Sequence, residues 1–246
     1  MSESLPPLLL LPGLMCDEAT WSPLYPWLSA AGDCVSLQHG LADSVEAMAA
    51  QVLRLAPPTF ALAGHSMGGR VAIEVLRQAP ERVRALALLD TGYQARPAGP
   101  KGEEEVAKRH ALLAVARRDG VRAMAQQWVL GMVHPDRLRD AALVESVVAM
   151  FERKNADVFA AQIAALLARP DATPTLRSVR VPTLVLCGRQ DSWAPVAQHE
   201  AIAALVPGAR LVVVEEAGHM SPMERPRPVA RALLDWWRSC VPADAR

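Results

Sequence analysis

The sequence has little that would mark a specialised partner or compartment. Its 246 residues carry no net charge, 26 basic side chains standing against 26 acidic ones, so no field is set up to gather nucleic acid or an anionic membrane surface. No apolar run approaches the roughly 18 residues that a bilayer span needs; the leucines Leu8 to Leu11 are far too short. No basic stretch precedes those leucines, so a secretory leader is not expected. The four cysteines, Cys16, Cys34, Cys187 and Cys240, form no C-x-x-C pair. They read as free thiols, which excludes a zinc knuckle or a disulfide frame and makes the cytoplasm the default location. Metal-ligand clusters, a Walker loop and a dinucleotide fingerprint are also missing, so no metal and no cofactor is expected. Internal repeats and low-complexity tracts are absent as well.

What remains is a chain that is 51% hydrophobic and long enough for one large core, with or without an inserted lid. Strand-like runs occur at Leu8–Leu11, Cys34–Gln38, Thr59–Ala63, Ala85–Leu89, Thr183–Cys187 and Arg210–Val214. Most are continuously apolar rather than alternating, as strands covered on both faces should be. Helical patterns lie between them at Ser44–Leu55, Gly68–Gln78 and Ala194–Leu205, with a last one from about Pro228 to Ser239. That alternation predicts an α/β fold with a mostly parallel central sheet and helices on both faces. The middle differs. Glu103–Arg117, Val121–Val133, Arg137–Arg153 and Ala156–Ala168 are amphipathic and broken by Asp-Gly, His-Pro and Asn-Ala pairs. The expected organisation is therefore a core of residues 1–95 and 179–246 with a helical cap, 96–178, over the sheet's carboxyl edge, where open α/β sheets bind ligands.

One motif carries chemistry. Gly64-His65-Ser66-Met67-Gly68-Gly69 sits where a strand pattern stops and a helix pattern starts. A serine between two glycines at such a junction is a nucleophile elbow: the turn is sharp and strained, and the hydroxyl is left exposed at a helix N-terminus. Serine needs a base, and the base needs an acid to orient it. Chain order around such an elbow runs Ser, then Asp or Glu, then His. Of the six histidines, His39 and His65 precede or adjoin the serine, and His110, His134 and His199 fall on or beside helices. His219, on the loop after the last strand, is the candidate base. Two aspartates each follow a strand. Asp191 is favoured because it lies one strand before the histidine; Asp90 is the alternative, more suited to tying a turn. Backbone N–H groups for an oxyanion hole are expected from Met67, directly after the nucleophile, and from Leu14, in the Pro12-Gly13 turn after the first strand.

These motifs resemble the α/β-hydrolase superfamily, specifically its small bacterial esterase and lactonase-like members with a helical cap. The resemblance runs essentially end to end. It rests on Leu8-Leu9-Leu10-Leu11-Pro12-Gly13, the Gly64–Gly69 elbow, Ala79-Pro80-Glu81-Arg82-Val83, Gly188-Arg189-Gln190-Asp191 with Pro195, and Gly218-His219 with Glu224 and Pro226. It implies a serine hydrolase with a Ser66-Asp191-His219 triad. Pro12-Gly13 stands where relatives usually have His-Gly, and Gln38-His39-Gly40-Leu41-Ala42 replaces an acidic glycine-rich loop, so relatives' substrates do not transfer. The antiparallel pair that usually opens this fold is not expected.

The expected activity is cleavage of a small to medium apolar carboxylic ester, thioester or lactone through an acyl-enzyme. Carbon–carbon bond hydrolysis, acyl transfer or lyase chemistry on the same triad, or a ligand sensor with vestigial catalysis, are the alternatives. Serine at position 66 excludes an aspartate nucleophile. Met15, Trp193 and Met220 flank the catalytic positions and are expected to line the pocket, since methionine adapts to varied acyl groups. The expected partner is a small-molecule ester or lactone, with the chain acting as a monomer or homodimer.

Overall fold

The apolar runs become strands of one sheet. The computed structural model describes residues 5–240, so the outermost ends of the expected core, 1–4 and 241–246, lie outside the described residues. The strands are β1 (Leu8–Leu11), β2 (Cys34–Ser36), β3 (Phe60–His65), β4 (Val83–Leu89), β5 (Thr183–Gly188) and β6 (Arg210–Val214). They pair in the order β2-β1-β3-β4-β5-β6, and every pairing is parallel. Strand ends differ from the sequence reading by one or two residues. The difference that matters is β3, which runs through His65 and delivers Ser66 directly off the strand end.

The helices are α1 (Tyr25–Leu28), α2 (Val45–Leu55), α3 (Met67–Gln78), α4 (Pro100–Asp119), α5 (Val121–Trp128), α6 (Ala141–Glu152), α7 (Ala156–Leu167), α8 (Thr173–Ser178), α9 (Val196–Leu205), α10 (Ser221–Glu224) and α11 (Pro226–Arg238). The helix expected from Arg137 starts later, because Asp140 accepts the Leu143 N–H at 3.1 Å and caps α6 there, leaving a 3-10 turn before it. The short helices α1, α8 and α10 were not apparent from apolar periodicity. Proline in the first turn of each supplies a start signal instead. Among the described residues no helix is long and apolar enough to cross a membrane.

The strand runs are apolar because both faces are covered. Leu9, Leu11, Phe60, Leu62, Leu86, Leu88 and Val185 enter one core, with buried side chains of α2, α3 and α9. Leu8, Leu10, Ala61, Ala63, Ala85, Ala87, Leu184 and Leu186 enter the other, against Leu28 of α1 and the apolar face of α11. This is the period-two alternation of a strand, concealed in the sequence because neither face meets water. All helices from α4 to α8 fall between β4 and β5, and Leu113, Met124, Val147, Phe159 and Leu176 extend the first core rather than forming one of their own.

Backbones approach very closely at the start of α3. A Cβ on Gly68 would stand 2.1 Å from the Leu11 carbonyl oxygen, and one on Gly64 would stand 2.2 Å from the Gly68 carbonyl oxygen. Gly68→Ala therefore forces α3 away from β1. The expected cost is about 3 kcal/mol or more, read as a melting temperature lower by roughly 6–12 °C. A variant that melts within 2 °C of the parent would refute this contact as a constraint.

Candidate active site

Ser66 is held in a conformation that side chains avoid, with φ 54° and ψ −117°. Three hydrogen bonds fix it. Its N–H donates to the Leu89 carbonyl at 2.9 Å, while its own carbonyl accepts the Thr91 hydroxyl at 2.6 Å and the Gly69 N–H at 3.0 Å. The result is a hydroxyl standing clear of the strand at the N-terminus of α3. It donates to Nε2 of His219 at 2.8 Å, and Nδ1–H of His219 donates to Oδ2 of Asp191 at 2.8 Å. The other oxygen of Asp191 accepts the N–H groups of Trp193 and Ala194, both at 2.9 Å. Burial alone would depress the basicity of His219, but the adjacent Asp191 carboxylate and its hydrogen bond outweigh burial and raise its pKa above the ordinary value. Burial opposes the charge on Asp191, but His219 and the hydrogen bonds it accepts prevail, and its pKa is lowered.

The histidine loop is tied from several directions. His219 N–H donates to the Met132 carbonyl at 2.7 Å. The buried carboxylate of Glu224 accepts N–H groups on both sides of it, from Gly218 at 2.9 Å and Met220 at 3.2 Å, and takes His134 N–H at 2.7 Å on its second oxygen. From below, Nε2–H of His65 donates to the His219 carbonyl at 2.7 Å. Burial, with His219 adding to it, pushes His65 down to about 3, so its ring stays neutral. Two further histidines do similar work. His39 donates to the Pro12 carbonyl at 3.1 Å, and Nε2 of His199 accepts the Thr91 N–H at 2.9 Å.

Asp90, the alternative acid, is fully buried near Asp191 and His219 but turned from them. One of its oxygens accepts the Gly188 N–H at 2.9 Å and the other the Ser221 hydroxyl at 2.5 Å. Burial, reinforced by the neighbouring Asp191 carboxylate, drives its pKa well upward. Its hydrogen bonds tie the end of β5 to the start of α10.

A cavity of about 740 Å³ opens in front of Ser66 and His219. Leu14, Met67, Trp128, Met132, Phe159 and Trp193 are among its walls. Trp193 lies 5.0 Å from the His219 ring and stacks on Trp128 at 5.5 Å. Met15 and Met220, expected in the wall, are not among its lining residues; both are fully buried in the core. Met15 adopts φ 61°, and its N–H turns to Oε1 of Gln162 at 2.8 Å. The wall position is taken by Leu14 on one side and Met132 on the other.

Gln162 was missed in the sequence, as was the Met132 carbonyl as the acceptor for His219. Gln162, on α7, is 2% exposed and also donates to the Gly40 carbonyl at 3.4 Å. The readable signal was a glutamine among Phe159, Ile163 and Leu166 on the apolar stripe of its helix. A second link from the same inserted segment is Arg153, whose guanidinium grips both oxygens of Asp17 at 2.8 Å. Among the described residues no group of three or more His, Cys, Asp or Glu side chains is placed to hold a metal ion.

A sheet of this order, with a serine elbow after β3 and its histidine after β6, matches the family model described as the alpha/beta hydrolase family over residues 8–232. The chain belongs to the α/β hydrolase family. Among curated relatives of this hydrolase is the pimeloyl-[acyl-carrier protein] methyl ester esterase of Aliivibrio salmonicida. It is 28% identical over 232 residues, covering 86% of this chain and 84% of that protein. Other curated relatives extend well beyond the match. The chain spans 65% of the length of relatives from Bacillus subtilis and Pseudomonas savastanoi pv. phaseolicola, and 8% of polyketide synthase ThaQ of Burkholderia thailandensis. Among solved structures, an esterase from Thermogutta terrifontis superposes with a TM-score of 0.83 at 28% identity, covering 98% of this chain and 92% of that one. The enol-lactonase of Burkholderia xenovorans LB400 superposes with a TM-score of 0.82 at 23% identity, covering 96% and 92%, a likeness of fold.

Two variants of this hydrolase test the polar wiring. Asp90→Asn keeps an acceptor for Gly188, and the group it replaces is one that burial already drives toward its neutral form. It should cost less than about 1.5 kcal/mol, whereas Asp90→Ala strands two buried donors and should cost roughly 2–4 kcal/mol. Chemical denaturation of both should give that order. Gln162→Leu strands the Met15 N–H and should cost about 1–3 kcal/mol in the same assay. A loss near zero would mean that the Met15 turn finds another acceptor.

Proposed function

We propose that this α/β hydrolase cleaves a small to medium apolar carboxylic ester, thioester or lactone through an acyl-enzyme on Ser66. The observation that carries the reading is the unbroken hydrogen-bond line from Ser66 Oγ through His219 to Asp191, two contacts of 2.8 Å beginning at a strained elbow. Serine is activated because His219 takes its proton as the oxygen attacks the carbonyl carbon, and Asp191 stabilises the imidazolium so formed. His219 then returns that proton to the leaving alkoxide or thiolate. A water, deprotonated by the same ring, releases the acyl group.

Negative charge on the carbonyl oxygen needs two donors. Met67 is the first residue of α3, where the N–H has no carbonyl partner within the helix. In the turn after β1, the Met15 N–H is taken by Gln162 and the Cys16 N–H by the Gly13 carbonyl at 3.1 Å, and Leu14, a cavity-wall residue, supplies the second in this reading. The apolar wall from Trp128, Met132, Phe159 and Trp193 supports an apolar body for the substrate. Residues 96–178 act in this reading as a cap over a core of 1–95 and 179–246. The relatives named as esterases support the ester class. Four free cysteines support a reducing cytoplasm.

Ser66→Ala should abolish turnover of short activated esters, a loss of roughly 10⁴- to 10⁶-fold, while the fold survives. Labelling of the parent by a fluorophosphonate, absent in the variant, distinguishes this chemistry from a sensor. The pH profile supplies the second test. Only neutral His219 accepts the serine proton, so kcat/KM should rise with pH, with a midpoint above the ordinary histidine value of about 6.5. Asp191→Asn should lower kcat by about 10⁴-fold. It should also move the midpoint of the residual activity to lower pH, because burial then acts on His219 without its counter-charge. Near-normal turnover in Asp191→Asn would sink the triad.

A further inference from the structure

The cavity in front of Ser66 is apolar at one end only. At the other end Arg70, Arg109 and Arg169 stand among its lining residues with Glu105. Two of these guanidinium groups share the Glu105 carboxylate. Arg109 donates to Glu105 at 2.9 Å, and Arg169 donates to both of its oxygens at 2.8 Å. Glu104, the next carboxylate along α4, is taken by Lys108 at 2.6 Å. Arg70 has no ion pair among the described residues; its hydrogen bond goes to the Gln94 carbonyl at 2.9 Å, which Arg169 shares at 3.3 Å.

Arg70 lies one turn along α3 from the nucleophile, about 6 Å of helix rise. Room for its head comes from Gly92, where a Cβ would stand 2.5 Å from Nη2 of Arg70. Arg70 and Arg169 also border a smaller neighbouring cavity of about 170 Å³, which places them at the end wall between the two. Burial, with Arg169 adding to it, pushes Arg70 down to about 9 against the pull of Glu105, so it is still a cation at neutral pH, and among the described residues no carboxylate stands at ion-pair distance from it. A half-buried guanidinium in a cavity wall, without a carboxylate in direct contact, favours an anion that arrives to meet it.

We propose that the substrate carries a carboxylate remote from its ester or lactone carbonyl, and that Arg70, backed by Arg169, binds it at the far end of the cavity. The inference rests on the ester-cleaving reading and narrows it, from apolar esters in general to monoesters or lactones of dicarboxylic acids. The planar fork of Arg70 suits a carboxylate, while the aromatic wall receives the methylenes between the two ends.

The test compares monomethyl adipate with methyl hexanoate, alike in carbon skeleton and different in charge. The parent should favour the anionic ester in kcat/KM by about tenfold or more. Arg70→Met should bring the ratio to near one, and Arg70→Lys, which keeps the charge without the fork, should fall between. A parent without preference, or an Arg70→Met variant that lowers both esters equally, overturns the proposal and leaves ester cleavage standing. If the parent cleaves neither ester, the hydrolytic reading fails by itself, and calorimetric titration of Ser66→Ala protein decides the subsite. Tighter binding of monomethyl adipate than of methyl hexanoate, lost when Arg70→Met is added, supports it. Equal binding, or none, overturns it.

Discussion

Two hydrogen atoms make the rest of the structure possible. At Gly64 and Gly68 a methyl group would penetrate backbone carbonyls, so α3 closes onto β1 and β3 only because those positions are bare. That closeness stores Ser66 at a positive φ, and the strain is met by the Leu89 carbonyl, Thr91 and Gly69. The same contact brings the turn after β1 to the start of α3. A looser junction would separate the Ser66 hydroxyl from that turn.

Around this point the protein uses neutral histidines and buried acids as fasteners for loops. His65, His39 and His199 each hold a backbone group of a loop that borders the cavity, and burial keeps His65 and His39 uncharged. Glu224 spans the histidine loop, and Asp90 spans β5 and α10. A low-dielectric surround strengthens each of these bonds and penalises any that is missing. Only His219 combines an aspartate on one nitrogen with a serine on the other, which distinguishes it from its neighbours.

Much of this was legible in the chain, for reasons that differ by element. The strands announced themselves because burial on both faces removed every polar residue from β1 and most of β3 to β5. Ser66 was legible because an elbow is a local device, written in six adjacent residues. Asp191 and His219 followed from the order of loops along the sheet. What escaped was either long-range or decided by backbone torsion. Nothing near position 15 predicts that its N–H will pair with a glutamine 147 residues away. Met15 and Met220 were adjacent in sequence to the site, yet the left-handed turn at Met15 directs its amide to Gln162 and its side chain to the core. A main-chain acceptor such as Met132 leaves no trace in residue identity at all.

That last contact makes the inserted helices something other than a removable cover. Met132 follows α5, in the middle of the insertion, and its carbonyl holds the peptide N–H of His219. Gln162 and Arg153 grip the turn after β1 from the same segment. A transplant of the whole insertion from a relative therefore succeeds only if it brings a carbonyl to the same spot. The border between the inserted helices and the sheet is drawn through the loop that carries His219 itself.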